Sequence, residues 1–255
     1  MLYALFSNLV TCEIAPNMQH NPNLSHPRAT AYLLPDSAKG YTQLMLELYD
    51  LLILRLSSTM IWRCPTSDLV LLYSHHLSRR HLELGVGTGY LLQHGVFPSH
   101  SVKLLLLDCN PRVLRYALRR LARYQPLGLV KDLTQPDWAH DLPKQQSIGL
   151  NYVWHALQGT VEQRSQLFAQ AAQVLTVDGV LFGATIRGMH PRMSKLACYA
   201  SQRWLAAGLF NNRPDTSESL HTCLSQYFAE VQVWLRGEVM LFVAKYPKSV
   251  TPSPC

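Results

Sequence analysis

The rhythm of hydrophobic and polar positions changes twice along the chain. Apolar residues at helical spacing, Tyr41, Leu44, Met45, Leu48, Leu51 and Leu52, predict a helix over 38–56. A second helix is expected from Pro65, a favourable first-turn residue, to about Ser74. Together they would form a helical N-terminal cap. From residue 80 short apolar runs alternate with helical ones. Strands are predicted at 80–84, 102–107, 126–131, 147–153 and 179–186, and helices at 89–95, 111–123 and 161–175. Strand, helix, strand in this order implies crossover units and a parallel sheet buried on both faces. The fourth and fifth strands are the most apolar, which places them centrally. The rhythm changes again where 228–236 and 238–245 alternate with period two around Gly237. Two strands so close pair antiparallel, because a parallel return needs a dozen or more residues. The predicted fold is α/β, with a mostly parallel seven-stranded sheet that ends in an antiparallel hairpin.

Residues 1–39 carry Pro16, Pro22, Pro27 and Pro35 among Asn, Ser and His without sustained periodicity, and are expected to form a flexible N-terminal arm. One domain is expected over 40–247, with a helical lid insertion over 188–225 and a tail over 248–255. Hydrophobic residues make up 48% of the 255 positions and charged ones 15%, which excludes a disordered chain. No apolar run reaches the ~18–20 residues that span a bilayer, so no membrane partner is expected. The apolar start, residues 1–6, has no Lys or Arg before Arg28, unlike a secretory leader. The six cysteines, at 12, 64, 109, 198, 223 and 255, show no C-x-x-C spacing. They are expected to be reduced thiols in a cytoplasmic protein without a zinc site. His75, His76 and His81 are expected as solvated loop residues. The net charge of +7 is concentrated at 110–124, where Leu114, Ala117, Leu118 and Leu121 share one helical face opposite Arg112, Arg115, Arg119 and Arg123. That stripe is expected to be a solvated face and not a nucleic-acid footprint.

The stretch His81-Leu-Glu-Leu-Gly-Val-Gly-Thr-Gly-Tyr90 is the most informative in the chain. Glycine in a regular element costs roughly 0.5–1 kcal/mol against alanine, so Gly85, Gly87 and Gly89 together need a reason. They fall between the first strand and the first helix, where an open α/β sheet places its ligand crevice. Without Cβ atoms, a ligand can lie almost on the backbone, near unpaired N–H groups and the positive end of a helix dipole. Nineteen residues past Gly89, the run Leu104-Leu-Leu-Leu ends in Asp108, placed to accept the hydroxyls of a ribose. The spacing G-x-G-x-G, preceded by Glu83, departs from the dinucleotide pattern G-x-G-x-x-G and disfavours a nicotinamide-dependent oxidoreductase. An acid there would repel a pyrophosphate but suits an ammonium or sulfonium. With the terminal hairpin, this points to S-adenosyl-L-methionine as cofactor and to a Rossmann-like three-layer sandwich.

Residues 81–186 resemble the core of a class I S-adenosylmethionine-dependent methyltransferase, and the last hairpin resembles that family's final two strands. The likeness covers about residues 40–246. More narrowly, Tyr49-Asp50, Trp62-Arg-Cys-Pro65, the glycine stretch, Leu150-Asn-Tyr-Val-Trp-His155 and Gly183-Ala-Thr-Ile186 are similar to microbial small-molecule methyltransferases of the type 11/12 kind. The resemblance implies that Glu83, Gly85, Gly87 and Gly89 underlie the methionine part of the cofactor and that Asp108 holds the ribose. It places Cys109 at the adenine edge, although a bulkier apolar residue is common there. Asp132 would accept from the adenine amino group, Leu133 would offer backbone, and Asn151 would lie near the transferred methyl. By its residue type alone, Asp132 also suits a turn or helix cap.

Methyl transfer is an in-line displacement with a neutral leaving group. Alignment alone supplies up to ~7–11 kcal/mol in favourable cases, and a base is needed only if the acceptor must lose a proton early. His155 is the candidate catalytic base, with a helix-start or packing role as the alternative. Tyr152 and Trp154 are expected to line a pocket or pack in the core, and Arg187 and His190 to lie within reach of the acceptor. Enzymes that methylate base amines resemble one another in a tetrad with two prolines, which Asn151-Tyr-Val-Trp154 lacks. No acidic cluster follows the fourth strand, so no metal is expected. A small-molecule methyl acceptor is the expected partner. An RNA-binding methyltransferase-like protein is the alternative.

Overall fold

The computed structural model describes residues 57–99 and 101–248. The N-terminal arm, the helix expected over 38–56 and the tail beyond 248 lie outside the described residues. A π-helical turn at 57–61 leads into helix α1 (Thr66–His76), which starts at Pro65. Then follow β1 (Arg80–Leu84), α2 (Tyr90–His94), β2 (Lys103–Asp108), α3 (Pro111–Arg120) and β3 (Leu127–Val130). Next come β4 (Gln145–Asn151), α4 (Val161–Val174), β5 (Leu175–Ile186), α5 (Lys195–Ala206) and α6 (Ser217–Tyr227). The hairpin β6 (Phe228–Arg236) and β7 (Val239–Pro247) closes the chain.

These strands form one sheet in the order β3-β2-β1-β4-β5-β7-β6, the fold expected from the sequence. All pairs are parallel except β5–β7 and β6–β7. The direction of winding reverses between β1 and β4, and there the carboxyl ends of the strands open a crevice. β4 is the middle strand of the seven, as its apolar content predicts.

Alternation explains the layers. Leu104 and Leu106 of β2 face one core with Leu69, Leu72 and Tyr73 of α1. Leu105 and Leu107 face the other, with Leu167 and Phe168 of α4 and Leu220 and Leu224 of α6. A parallel strand buried on both faces needs such a run without polar gaps. Two elements differ from expectation. β5 begins at Leu175, not 179, because α4 passes into it directly and Leu175 pairs with Gln145 before a bulge. The segment expected to be a single lid over 188–225 divides. α6 packs on α4 and β6 as an ordinary outer-layer helix, while 204–210 turns over the crevice.

The arginine stripe is solvated as expected, with Arg112, Arg115, Arg119 and Arg123 all exposed, while the neighbouring Arg120 turns inward. Arg120 reaches Gln93 and the Thr88 carbonyl, and its guanidinium lies 5.4 Å from the Tyr90 ring centre. Arg123 donates to the Gln93 carbonyl at 2.9 Å. Arg120 holds α3 against α2 and the glycine bend, and Arg123 ties the turn after α3 to α2. Among the described residues, no helix is long and apolar enough to cross a membrane.

Candidate active site

The glycine bend occupies the crevice floor, and its three glycines are not there for one reason. All three have left-handed backbones, with φ of +69°, +53° and +74° at Gly85, Gly87 and Gly89. Non-glycine residues reach that region at a cost of order 1–2 kcal/mol. A Cβ on Gly85 would strike Val153, and one on Gly89 would press on Leu121 and Ala117 of the α3 region. Only at Gly87 would it meet open space. The expectation that all three leave open space is therefore corrected: Gly87 does, and the other two permit the turn and its packing. Helix α2 has only five residues, so little dipole stands behind the bend.

Glu83 is 3% exposed and does not stand free. Tyr73 donates its hydroxyl to Oε1 at 2.5 Å, and His81 Nε2 lies 2.9 Å from Oε2. His81 Nδ1 is in turn 2.8 Å from Ser147 Oγ, which is 2.6 Å from Ser78 Oγ. His81 is thus a fully buried member of this relay, against the expectation of a solvated loop histidine. Strand geometry explains the reversal, since residues two apart share a face and His81 follows Glu83 onto the α1 side. Gly149, the β4 partner of Glu83, leaves the space that its carboxylate fills. Burial and the Glu83 charge push the Tyr73 phenol well above its usual range, so it donates and stays neutral. His75 and His76 close α1 instead of lying in a loop, and His76 tilts against Phe182.

Asp108 ends β2 beside the bend. Gly87 N–H donates to its Oδ2 at 3.2 Å and Asn110 N–H to its Oδ1 at 2.9 Å. Burial outweighs both bonds and raises the carboxyl to about 6. Cys109, Lys131, Asp132 and Leu133 line the same wall. Asp132 Oδ1 is taken up by Thr134, from backbone N–H at 2.9 Å and hydroxyl at 2.7 Å, a turn arrangement that leaves Oδ2. Asn151, at the end of β4, holds its Oδ1 buried without a partner among the described residues. Such an atom costs about 1–3 kcal/mol unless something fills its valence.

From this floor, one cavity of about 590 Å³ runs towards Trp62, Trp204, Leu209 and Phe210. The aromatic rings lean on one another, with Trp62 and Trp204 centroids 5.2 Å apart and Trp204 and Phe210 5.0 Å apart. Tyr152 sits at the junction with φ +56°, a strained conformation for a non-glycine residue, and its hydroxyl is 2.8 Å from Ser58 Oγ. Trp154 instead packs in the core, fully buried against Phe168. His155 lines the cavity, and its Nδ1 accepts from Ile186 N–H at 3.4 Å and lies 3.2 Å from Thr185 Oγ1. Burial and the nearby Arg164 push the ring down to about 3. That environment holds a neutral imidazole of low basicity, with Nδ1 already engaged. Arg187 and His190 do not reach the chamber. Both bind the buried Glu238 carboxylate, at 2.9 Å and 2.8 Å, which fastens the β6–β7 turn.

A sheet of this order with its reversed hairpin, a glycine bend at the switch point and a carboxylate ending β2 defines the class I methyltransferase architecture. The comparisons agree. The chain is 31% identical over 213 residues to Demethylluteothin O-methyltransferase of Streptomyces thioluteus, covering 82% of this chain and 90% of that protein. It is 32% identical over 209 residues to the Physcion biosynthesis cluster O-methyltransferase of Aspergillus chevalieri, covering 82% and 94%. The solved N-methyltransferase NodS from Bradyrhizobium japonicum WM9, in complex with S-adenosyl-L-homocysteine, shares the fold. Its TM-score is 0.51 at 17% identity, over 71% of this chain and 85% of that one. No family model matches. The chain belongs to the class I S-adenosylmethionine-dependent methyltransferases.

Tyr73, Ser147 and Gly149 were not singled out from the sequence, Thr185 stood there only within the Gly183-Ala-Thr-Ile186 stretch, and Trp204 and Phe210 only within the expected lid. The spacing of His81 and Glu83, two polar residues on one face of an apolar strand, is the one signal that pointed to a buried partner.

Proposed function

We propose that the enzyme transfers a methyl group from S-adenosyl-L-methionine to a hydroxyl of a small, flat, largely apolar acceptor. The residues suit the cofactor. The open space over Gly87 forms a cradle for its backbone-like methionine part, and the orphaned Asn151 Oδ1 supplies an acceptor for an ammonium. The Asp108 carboxylate stands at the right end of the cavity for two ribose hydroxyls, with Cys109, Asp132 and Leu133 beyond it for the base. Glu83 lies beneath the bend, held by Tyr73 and His81, and each of its oxygens retains a lone pair.

The cofactor, when bound, supplies a methyl group already activated on a sulfonium, with a neutral thioether to leave. The protein's part is alignment: Asn151 ends β4 and Tyr152 follows it where the two halves of the cavity meet, and the walls of Trp62, Trp204 and Phe210 hold a planar acceptor in line. Oxygen is favoured as the accepting atom because the two curated relatives named above are O-methyltransferases. One observation carries the reading: a polar groove with the carboxylate of Asp108 and an aromatic chamber form one continuous cavity. Calorimetry with S-adenosyl-L-homocysteine, followed by a product screen of hydroxylated aromatics with methyl-labelled cofactor, tests it. Micromolar binding and label in an ether product are expected. Binding of NAD in place of the thioether nucleoside would overturn it.

A further inference from the structure

Resting on that reading, the acceptor end of the cavity is better built to receive an oxyanion than to make one. The His155 backbone N–H donates to Thr185 Oγ1 at 3.2 Å, which leaves that hydroxyl's own proton free to point at Nδ1. Ile186 N–H points at the same nitrogen. Both bonds fix the imidazole tautomer with its proton on Nε2, the one polar atom of the ring left for the cavity. Three neighbours enforce neutrality. Phe210 meets the ring edge-on at 4.5 Å, and the Tyr152 ring centre is 6.0 Å away. The Arg164 guanidinium, held by Asp215 at 2.6 Å and by the Trp154 carbonyl at 3.1 Å, opposes a second positive charge.

Among the described residues, no nearby group offers itself as a base instead. Burial pushes the Tyr152 phenol upward, and burial with the Asp68 charge pushes the Cys64 thiol to about 12. Among the described residues that line this end, from Ser57 to Trp62 and from Tyr152 to Phe210, none is a carboxylate or an ammonium.

We propose that His155 is a specificity-determining residue that recognises the acceptor as its conjugate base, donating Nε2–H to an anionic oxygen. The acceptors it selects are hydroxyls that ionise in water near neutral pH: enols of β-dicarbonyl rings and phenols bearing electron-withdrawing groups. The proton leaves to solvent before the acceptor binds. In transfer, an oxygen lone pair forms the new O–CH3 bond as the S–CH3 bond breaks, and that bonding pair stays on sulfur. The oxyanion and the sulfonium thus neutralise each other and leave an ether and a thioether. Loss of opposite charges is favoured where water is excluded and the dielectric is low, as among these indole and phenyl rings.

The test uses 7-hydroxycoumarin and 4-nitro-1-naphthol, whose spectra separate neutral from ionised forms, titrated with the protein saturated in S-adenosyl-L-homocysteine. On wild type the bound probe should ionise at least one pH unit below the free probe. His155→Gln keeps an N–H donor and should retain most of that shift, whereas His155→Phe should lose it. Thioether-nucleoside affinity should stay within twofold in both variants. In turnover, the pH midpoint of kcat/KM should move with each acceptor's own pKa. An unshifted or raised pKa of the bound probe, or no probe binding by protein that binds the nucleoside, overturns the proposal. So does a fixed midpoint for acceptors of different acidity, which would reveal an enzymic base. Failure to bind the nucleoside at all strikes the underlying methyltransferase site instead, and the two outcomes are read from separate signals.

Discussion

Gly87 and Gly85 sit two residues apart, yet their substitution should fail in different ways. An alanine at Gly87 meets no protein atom, so its cost is the left-handed backbone alone, about 1–2 kcal/mol. The folded protein should persist, with S-adenosyl-L-homocysteine affinity reduced at least tenfold by calorimetry because the methyl projects into the cavity. Valine at Gly85 collides with Val153 as well as straining φ, and thermal unfolding should show the larger loss. Tyr73→Phe removes one donor from a buried carboxylate. Hydrogen bonds to charged groups are worth about 1.5–3 kcal/mol, so urea unfolding should register a loss of that order. Equal stability of Tyr73→Phe and wild type would show that Glu83 is not held as the geometry indicates.

Helix α4 ties the front of the molecule to the back. Arg164 donates to both oxygens of Asp215, at 2.9 Å and 2.6 Å, and its guanidinium lies 4.4 Å from the Trp154 ring centre. Removing one partner of a buried ion pair leaves the other uncompensated, at about 3–5 kcal/mol. Asp215→Ala should therefore lower the denaturation midpoint sharply and loosen 204–210 over the aromatic chamber, visible as faster amide exchange there. At this scale the sequence was most legible. The bounds of β1 were read without error, and those of α1, α2, β2 and α4 to within about two residues, because a sheet buried on both faces leaves little freedom in where apolar residues fall. The relay under Glu83 was not legible, since Tyr73 meets it across ten residues and Ser147 meets His81 across sixty-six. Nor was the division of 188–225, where similar amphipathic stretches end in different layers. Period and spacing report a residue's own element; they carry no record of which distant side chain will complete a buried valence.

Two ionisable groups in the cavity pull the whole molecule's pH response in opposite directions. His155 has its folded pKa depressed to about 3 from 6.5, so the stability of the neutral ring is complete above about 6.5 and is lost as pH falls towards 3. Asp108 is the reverse: its pKa is raised to about 6 from 3.8, so protonation favours the fold below about 3.8, and that benefit disappears as pH rises through 6. Above pH 7 the free enzyme therefore holds a desolvated carboxylate that only a donor-bearing ligand can relieve. Asp108→Asn should gain thermal stability relative to wild type on going from pH 4.5 to pH 7.5, because wild type alone acquires the charge. The same charge governs binding. If the ligand's hydroxyls engage the ionised form, wild-type affinity for S-adenosyl-L-homocysteine should rise by up to about tenfold between pH 5 and pH 7, and the Asn variant should bind weakly with a flat profile. A flat wild-type profile over that interval would place the ribose elsewhere, since no binding to this carboxylate can be indifferent to whether it carries a proton.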